Sequence, residues 1–198
     1  MKRIVLLSLL ALALPVTMFA SSVEFTNSGG ILSGNSAGLT LSNSVLVAMG
    51  NITGNNLGSV TFSTAALASG NLQQGGSFMA GGTFTITGNG TNGVHNGMIF
   101  TGTFSGPVAW TLLTLADGTH NYELSGTLSG TWYTGATVNG ATVELTLNVG
   151  KGFFGRAVRL GSGDTNIVSN VVPEPGSLTL LGTGLFGLAG VVRRKLKA

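Results

Sequence analysis

The chain has 198 residues, no cysteine and a sequence pI of about 9.7. The lack of cysteine excludes disulfides, thiolate nucleophiles and cysteine-ligated metal sites. Six of the nine basic side chains stand in the first three or the last six residues, whereas residues 23–170 hold three basic and five acidic side chains, a net charge of −2. Nucleic acid is therefore not an expected partner, because the body lacks a basic stripe that could contact a phosphate backbone.

The N-terminal segment, residues 1–22, is predicted to be a secretory signal. Lys2 and Arg3 supply positive charge, residues 4–14 are almost all apolar, and Pro15 is followed by small residues at positions 20–22. At about 1.5 Å per residue this apolar run is too short to cross a hydrocarbon core of about 30 Å. We therefore expect a signal helix that is removed after export through a Sec-type machinery.

A single β domain is predicted over residues 23–170. Short apolar bursts separated by glycine and asparagine are typical of strands joined by tight turns, and no stretch shows a helical period over ten or more residues. Asp117-Gly118 and Asn139-Gly140 are predicted turns, the first of them within a hairpin. Alternation of apolar and polar residues predicts half-buried strands at residues 59–64, 83–87, 98–104, 108–115, 122–128 and 141–149.

The fold class expected from this pattern is all-β, with an antiparallel β-sandwich or jelly roll as the first choice. Loose repetition of Gly-Thr and Ser-Gly-Thr leaves a β-solenoid open as the alternative, although no fixed repeat length is found. The domain would be flanked by the N-terminal signal helix and by a C-terminal transmembrane helix.

Residues 34–38 match the Gly-x-Ser-x-Gly pattern of hydrolase nucleophiles, with Ser36 at the centre. That pattern requires a sharp turn from a strand into a helix. Residues 39–47, however, predict a strand, and the sequence places no base where it would activate the serine. No catalytic residue is therefore expected.

No metal site or cofactor is expected either. His95 and His120 are the only histidines. Asp117 lies near His120, but a zinc site needs three or four ligands. We interpret both histidines as solvated turn residues and Asp164 as a turn or capping residue.

Two further groups of side chains could contact a carbohydrate. Glycoside hydrolysis would require paired carboxylates, but nothing in the sequence fixes a distance between two acids, and Glu123 and Glu144 are expected to face solvent from their strands. Trp110, Trp132 and Tyr133 could form an aromatic platform for sugar rings, or they could belong to the core.

The C-terminal segment, residues 171–198, combines three elements in series. The first is Val172-Pro173-Glu174-Pro175-Gly176, whose prolines favour an extended segment that an enzyme groove can bind. Residues 177–192 then predict a transmembrane helix, which is short for a bilayer and rich in glycine. A basic stop in residues 193–198, with Arg193, Arg194 and Lys195, keeps the C-terminus on the cytoplasmic side and places the body outside.

This tail resembles the PEP-CTERM domain. The resemblance is carried by the Val172–Pro175 motif, by the leucine- and glycine-rich run that follows it, and by the closing Arg193-Arg194-Lys195. It implies an exported bacterial protein that a membrane-embedded, cysteine transpeptidase-like enzyme, an exosortase, cuts near the motif. In that case Pro173, Glu174 and Pro175 are the enzyme's substrate, and the body is released or transferred to the cell surface.

The function expected from these observations is that of a non-enzymatic protein of the cell surface or extracellular matrix. Its precursor would contact the membrane transiently through the C-terminal helix, and its body would have a structural or adhesive role in exopolysaccharide or biofilm. A carbohydrate-binding module is the alternative, and a small secreted hydrolase is a further one.

Overall fold

The structure, a computed structural model, describes residues 21–169, with side chains described for residues 22–165. Within this part of the chain, no helix is long and apolar enough to span a membrane. The predicted transmembrane helix at residues 177–192 lies outside the described residues, as does the predicted signal at residues 1–22 except for its last two residues. The flanking helices and the domain boundaries at residues 22 and 170 therefore stay predictions.

Antiparallel strands make up nearly all of the regular structure in the described part, which confirms the all-β class. A short 3₁₀ turn at Thr91–Gly93 is the exception. The strands are β1 (Ser21–Ser28), β2 (Ile31–Asn35), β3 (Gly38–Met49), β4 (Ile52–Ser63), β5 (Leu67–Asn71), β6 (Gly75–Phe78), β7 (Gly81–Asn89), β8 (Asn96–Phe104), β9 (Val108–Thr114), β10 (His120–Trp132), β11 (Thr137–Asn148), β12 (Ala157–Arg159) and β13 (Ser162–Ser169).

Eight of the strands pair in a closed ring, in the order β11, β13, β1, β3, β4, β7, β8, β10 and back to β11. β10 closes the ring because its second half pairs with β8 while nearly its whole length pairs with β11. The remaining strands extend the same sheet: β9, β6 and β5 continue from the first half of β10, and β2 and β12 continue from the start of β3. The finer choice between a sandwich or jelly roll and a solenoid stays a prediction.

The core lies on the inner face of this sheet. β11 illustrates how the sequence places it there, because Val143, Leu145 and Leu147 are buried while the residues between them are exposed. An aromatic cluster fills the region between β4, β7 and β8, with ring centroids 5.9–6.3 Å apart. Its members are Phe62, Phe84, Phe100 and Phe104. A chain without disulfides depends on this apolar burial for its stability.

The two predicted turns have different outcomes. Asp117-Gly118 lies in the loop between β9 and β10, which confirms the predicted hairpin. Asn139-Gly140 does not form a turn, because both residues lie within β11. Leu128 pairs with Ala141 and the next residue of β10 pairs with Asn139, so Gly140 is the extra residue of a β-bulge, with φ of 82°. Tight turns and some β-bulges both need a residue with positive φ, and glycine adopts it readily in either place. The Asn-Gly pair therefore predicted a turn where the structure has a bulge.

Replacing Phe84 by alanine is expected to lower the free energy of unfolding by about 3–5 kcal/mol, because the ring is fully buried and leaves a cavity among other aromatic rings. Phe153→Ala is the matched control. It removes the same atoms from a side chain that is 47% exposed, and its effect should stay below about 1 kcal/mol. Urea denaturation followed by circular dichroism measures both, and equal losses would contradict the placement of Phe84.

Candidate functional site

Both ends of the described body lie at one end of the ring, because Ser21 of β1 pairs directly with Ser169 of β13. Neighbouring strands of the ring are antiparallel, so the β3–β4 turn, the β7–β8 loop and the β10–β11 turn lie at this same end. We call it the terminal end. The opposite end, which carries the β9–β10 loop at residues 115–119, is the far end.

The sorting segment predicted from the sequence follows directly from the terminal end. β13 ends at Ser169, and two residues separate it from Val172 in the sequence. The motif residues and the basic stop lie outside the described residues, and their roles stay predictions: Val172, Pro173, Glu174 and Pro175, then Arg193, Arg194 and Lys195.

Trp110, one of the three aromatic residues considered for sugar contact, is fully buried. Its ring stacks on Tyr122 with centroids 4.9 Å apart, and its indole N–H donates to the Leu72 carbonyl at 3.0 Å. The Tyr122 hydroxyl in turn donates to the Gln73 carbonyl at 2.6 Å and accepts from the Phe154 N–H at 3.1 Å. Trp110 therefore belongs to a hydrogen-bonded part of the core that fixes the β5–β6 loop.

The other two aromatic residues differ in exposure although they are adjacent in sequence. Trp132 is 8% exposed and packs against Phe25 and Phe100. Tyr133 is 49% exposed, and its ring stacks on His95 with centroids 4.3 Å apart. Of the three aromatic residues, Tyr133 is thus the one that offers substantial surface to a ligand.

Three carboxylates line an open groove of about 600 Å³ on the outer face of β1, β13, β11 and β10. They are Glu24, Glu144 and Asp164, and all three are exposed. The register explains the grouping, because Glu144 is paired with Asp164 across β11 and β13 and with Ser125 across β11 and β10. Ser125, Thr127 and Thr142 also line the groove, together with the residues Pro107, Ala109, Gly126 and Val143, which have no polar side chain.

This groove combines negative charge with hydrogen-bonding groups. Carboxylates accept hydrogen bonds and threonine and serine hydroxyls both donate and accept them, which is a combination suited to the hydroxyls of a sugar. No set of three His, Cys, Asp or Glu side chains in the described residues is arranged to hold a metal ion. The groove was not predicted from the sequence, because β-sheet register rather than local spacing brings its acids together.

Ser36 lies in a two-residue turn between β2 and β3, and its neighbour Ala37 donates its N–H to the Asn35 side chain at 2.8 Å. The segment that follows is β3, which confirms the strand expected after the serine. The strand-turn-helix context of a hydrolase nucleophile is therefore not formed at Ser36.

The two histidines lie at opposite ends of the ring. His95 is in the β7–β8 loop at the terminal end, whereas His120 starts β10 at the far end, where its Nδ1 lies 2.8 Å from the Gly152 carbonyl oxygen. The interpretation of His120 as a turn residue is wrong, because His120 is the first residue of β10 and pairs with Thr114 of β9. Backbone and side-chain hydrogen bonds from Thr119 hold the pKa of Asp117 below its ordinary value, so this carboxyl is occupied in ordering the β9–β10 loop.

The interpretation of Asp164 as a turn or capping residue is wrong, because Asp164 lies within β13 and pairs with Thr26 and Glu144. The alternation in β13 was hidden by its Gly-Asp-Thr-Asn composition, which is typical of turns. Glu144 is exposed as expected, and Glu123 is half-buried on the outward face of β10.

Comparison with known proteins finds a match for the tail. A family model described as the PEP-CTERM protein-sorting motif matches residues 171–195, which confirms the resemblance of the tail. The matched residues follow the described body in the chain. No curated protein and no solved structure matches the chain.

Glu144→Gln is expected to raise the free energy of unfolding by about 0.2–1 kcal/mol at neutral pH and low salt, because it removes one of two like charges placed directly opposite each other. The gain should shrink as salt screens the pair. Glu123→Gln is the control, since the partner of Glu123 in β11 is Thr146. Urea denaturation at two salt concentrations tests this, and an equal gain for both variants would contradict the repulsion.

Proposed function

We propose that the protein is an exported component of the bacterial cell surface or extracellular matrix, cleaved near its C-terminal motif by an exosortase-type membrane enzyme. The observation that carries this proposal is the match of residues 171–195 to the PEP-CTERM protein-sorting motif. The predicted N-terminal signal supports it, because a secretory signal at one end and a sorting motif at the other are both features of exported proteins.

In this proposal the chemistry of processing belongs to the partner enzyme, and the chain supplies the substrate. Pro173 and Pro175 have no backbone N–H and disfavour helix, so they keep the peptide around Glu174 extended. The apolar residues 177–192 hold that peptide at the membrane surface, and the basic stop sets its direction. Release or transfer then leaves the β body outside the membrane.

A structural or adhesive role without catalysis is the function that the body supports best. Its core is apolar. Its outer face carries many serine and threonine hydroxyls and asparagine amides, which suit a hydrated polysaccharide layer. Ser36 lacks the context of a nucleophile, and Trp110 and Trp132 are buried. We propose a sandwich-like module of biofilm or exopolysaccharide as the mature form.

The second candidate function is carbohydrate binding, and the acidic groove is the observation that favours it. Glu24, Glu144 and Asp164 lie beside hydroxyl-bearing side chains in a groove of about 600 Å³, which is within the size range of small-molecule sites. A neutral or amine-bearing sugar is the fitting class, because an anionic polysaccharide would be repelled. A secreted hydrolase remains the third candidate.

Glu174→Ala is expected to abolish C-terminal processing, because it removes the carboxylate between the two prolines of the motif. Intact-mass analysis of protein from culture fluid and from membranes measures the outcome: the wild-type body should end close to Pro173, and the variant should keep its tail in the membrane fraction. Glu123→Ala, the same change within the body, is the control and should be processed normally. A variant processed like the wild type would contradict the proposal.

Glu144→Gln combined with Asp164→Asn is expected to weaken retention of the protein in native gels that contain neutral polysaccharide, if the groove binds sugar. Glu123→Gln should leave retention unchanged, because Glu123 is not among the residues that line the groove. Retention is measured relative to a gel without polysaccharide, because the loss of two negative charges changes mobility by itself. With circular dichroism verifying that the variant is folded, a loss of this relative retention would report binding. Unchanged retention would remove the carbohydrate-binding candidate at this groove.

A further inference from the structure

We propose that, before processing, the terminal end of the ring contacts the phospholipid headgroups of the membrane that holds the tail, chiefly through Tyr133 and Met98. This inference rests on the proposed function, because it requires that residues 177–192 enter a bilayer. It adds an interaction surface on the body itself, which neither the sorting motif nor the fold class implies.

Covalent connection limits how far the body can be from the membrane. Eight residue steps separate Ser169, the end of β13, from Ser177, the start of the predicted membrane segment. At a maximum of about 3.6 Å per residue these steps span at most roughly 29 Å. A headgroup layer of about 5–8 Å lies within that span. The terminal end is therefore the part of the body that is kept near the lipid surface.

The surface chemistry of the terminal end suits this position. Tyr133 is 49% exposed in the β10–β11 turn, and Met98 is 48% exposed two residues after the start of β8. The three connections at this end, residues 50–51, 90–95 and 133–136, contain no Asp, Glu, Lys or Arg. Approach to a lipid surface therefore desolvates no Asp, Glu, Lys or Arg side chain in these connections. The exposed Glu24 also lies toward this end, since its backbone carbonyl accepts from the Gly50 N–H, but its side chain lines the acidic groove on the outer face of the ring.

The charged residues of the connections are found at the other end of the ring. Lys151 and Arg156 lie in the segment between β11 and β12, and Asp117 lies in the β9–β10 loop. These groups stay in water when the terminal end faces the membrane.

The ring of Tyr133 is held in place by its neighbours. It stacks on His95 with centroids 4.3 Å apart and meets the edge of Trp132, which is 8% exposed, at 6.5 Å. Its backbone N–H donates to the Ile99 carbonyl at 2.8 Å. A fixed ring loses little conformational freedom on contact, and tyrosine is enriched at membrane–water interfaces because its body is apolar and its tip is polar.

The other exposed large apolar side chains of the described residues lie toward the far end, and they supply the control: Ile31, Met79, Leu113, Leu115 and Phe153. Leu113, which is 56% exposed, lies near the end of β9 at the far end. Its exposure exceeds that of Tyr133, yet it has no connection to the tail. The inference therefore rests on position in the ring and not on exposure: the tail departs from the terminal end, so we expect Tyr133 and Met98, and not Leu113, to meet lipid.

The absence of cysteine from the natural sequence allows a direct test with single labels. A fluorophore is attached to Thr134→Cys, in the β10–β11 turn, or to Ala116→Cys, in the β9–β10 loop, of precursor that retains its tail through Glu174→Ala. The protein is reconstituted in phosphatidylcholine vesicles that contain headgroup spin-labelled lipid. We expect quenching of the Thr134 label to be several-fold stronger than quenching of the Ala116 label, and equal quenching would overturn the inference.

Replacing the contact residues separates surface contact from tethering alone. Tyr133→Ser with Met98→Ser should lower the population in contact roughly tenfold, as judged by quenching at Thr134, because two half-exposed apolar side chains no longer enter the interface. Leu113→Ser should leave that quenching unchanged, and circular dichroism verifies that each variant is folded. If quenching at Thr134 survives the double replacement, the proposed contact is wrong.

The outcome is distinguishable from failure of the proposed function. Mass analysis establishes before labelling that the tail is present, and the assay involves no cleavage. A wild-type protein that is processed near Pro173 but whose precursor shows no selective quenching at Thr134 would overturn the membrane contact alone. A protein that is never processed, with selective quenching intact, would overturn the sorting proposal and leave the contact in place.

Discussion

The pairing of β1 with β13 is the interaction on which the rest of the structure depends. It joins the first described strand to the last over eight residue pairs and so links the two ends of the body. The same pairing buries Phe25 beside Thr165 and brings Glu24 to the face that carries Glu144 and Asp164. It also fixes the end of the ring from which the sorting tail departs. Core, groove and tail position thus follow from one antiparallel ladder.

How much of the fold could be predicted depended on how clearly side chains alternate. β11 was evident because Val143, Leu145 and Leu147 are large and the residues between them are polar. β5 and β6 were missed because Leu-Ala-Ser-Gly-Asn and Gly-Gly-Ser-Phe contain too few apolar residues to show a period. Ring closure could not be predicted either, since β10 must pair with β8, β9 and β11, and no local pattern specifies three partners.

The candidate sites also differ in how far a local sequence pattern reveals them. The sorting motif is a continuous run of residues, so the sequence alone was enough to predict it, and the family match at residues 171–195 agrees with that prediction. The acidic groove joins Glu24 to residues more than a hundred positions later, so only the register of β1, β13 and β11 could disclose it. Tyr133 illustrates an intermediate case: its residue type suggested contact with a ligand, but its exposure and its stacking on His95 required coordinates.

The first-to-last pairing also constrains when the body can fold. An exported chain crosses the membrane from its N-terminus, so β1 reaches the outside long before β13 does. Until then β1 lacks one of its two neighbours, and the edge of β11 that pairs with β13 is likewise unpaired. Contacts so distant in sequence form slowly. The body therefore completes its native structure only after translocation has delivered almost the whole chain, and exposed strand edges must be kept from aggregating during that interval.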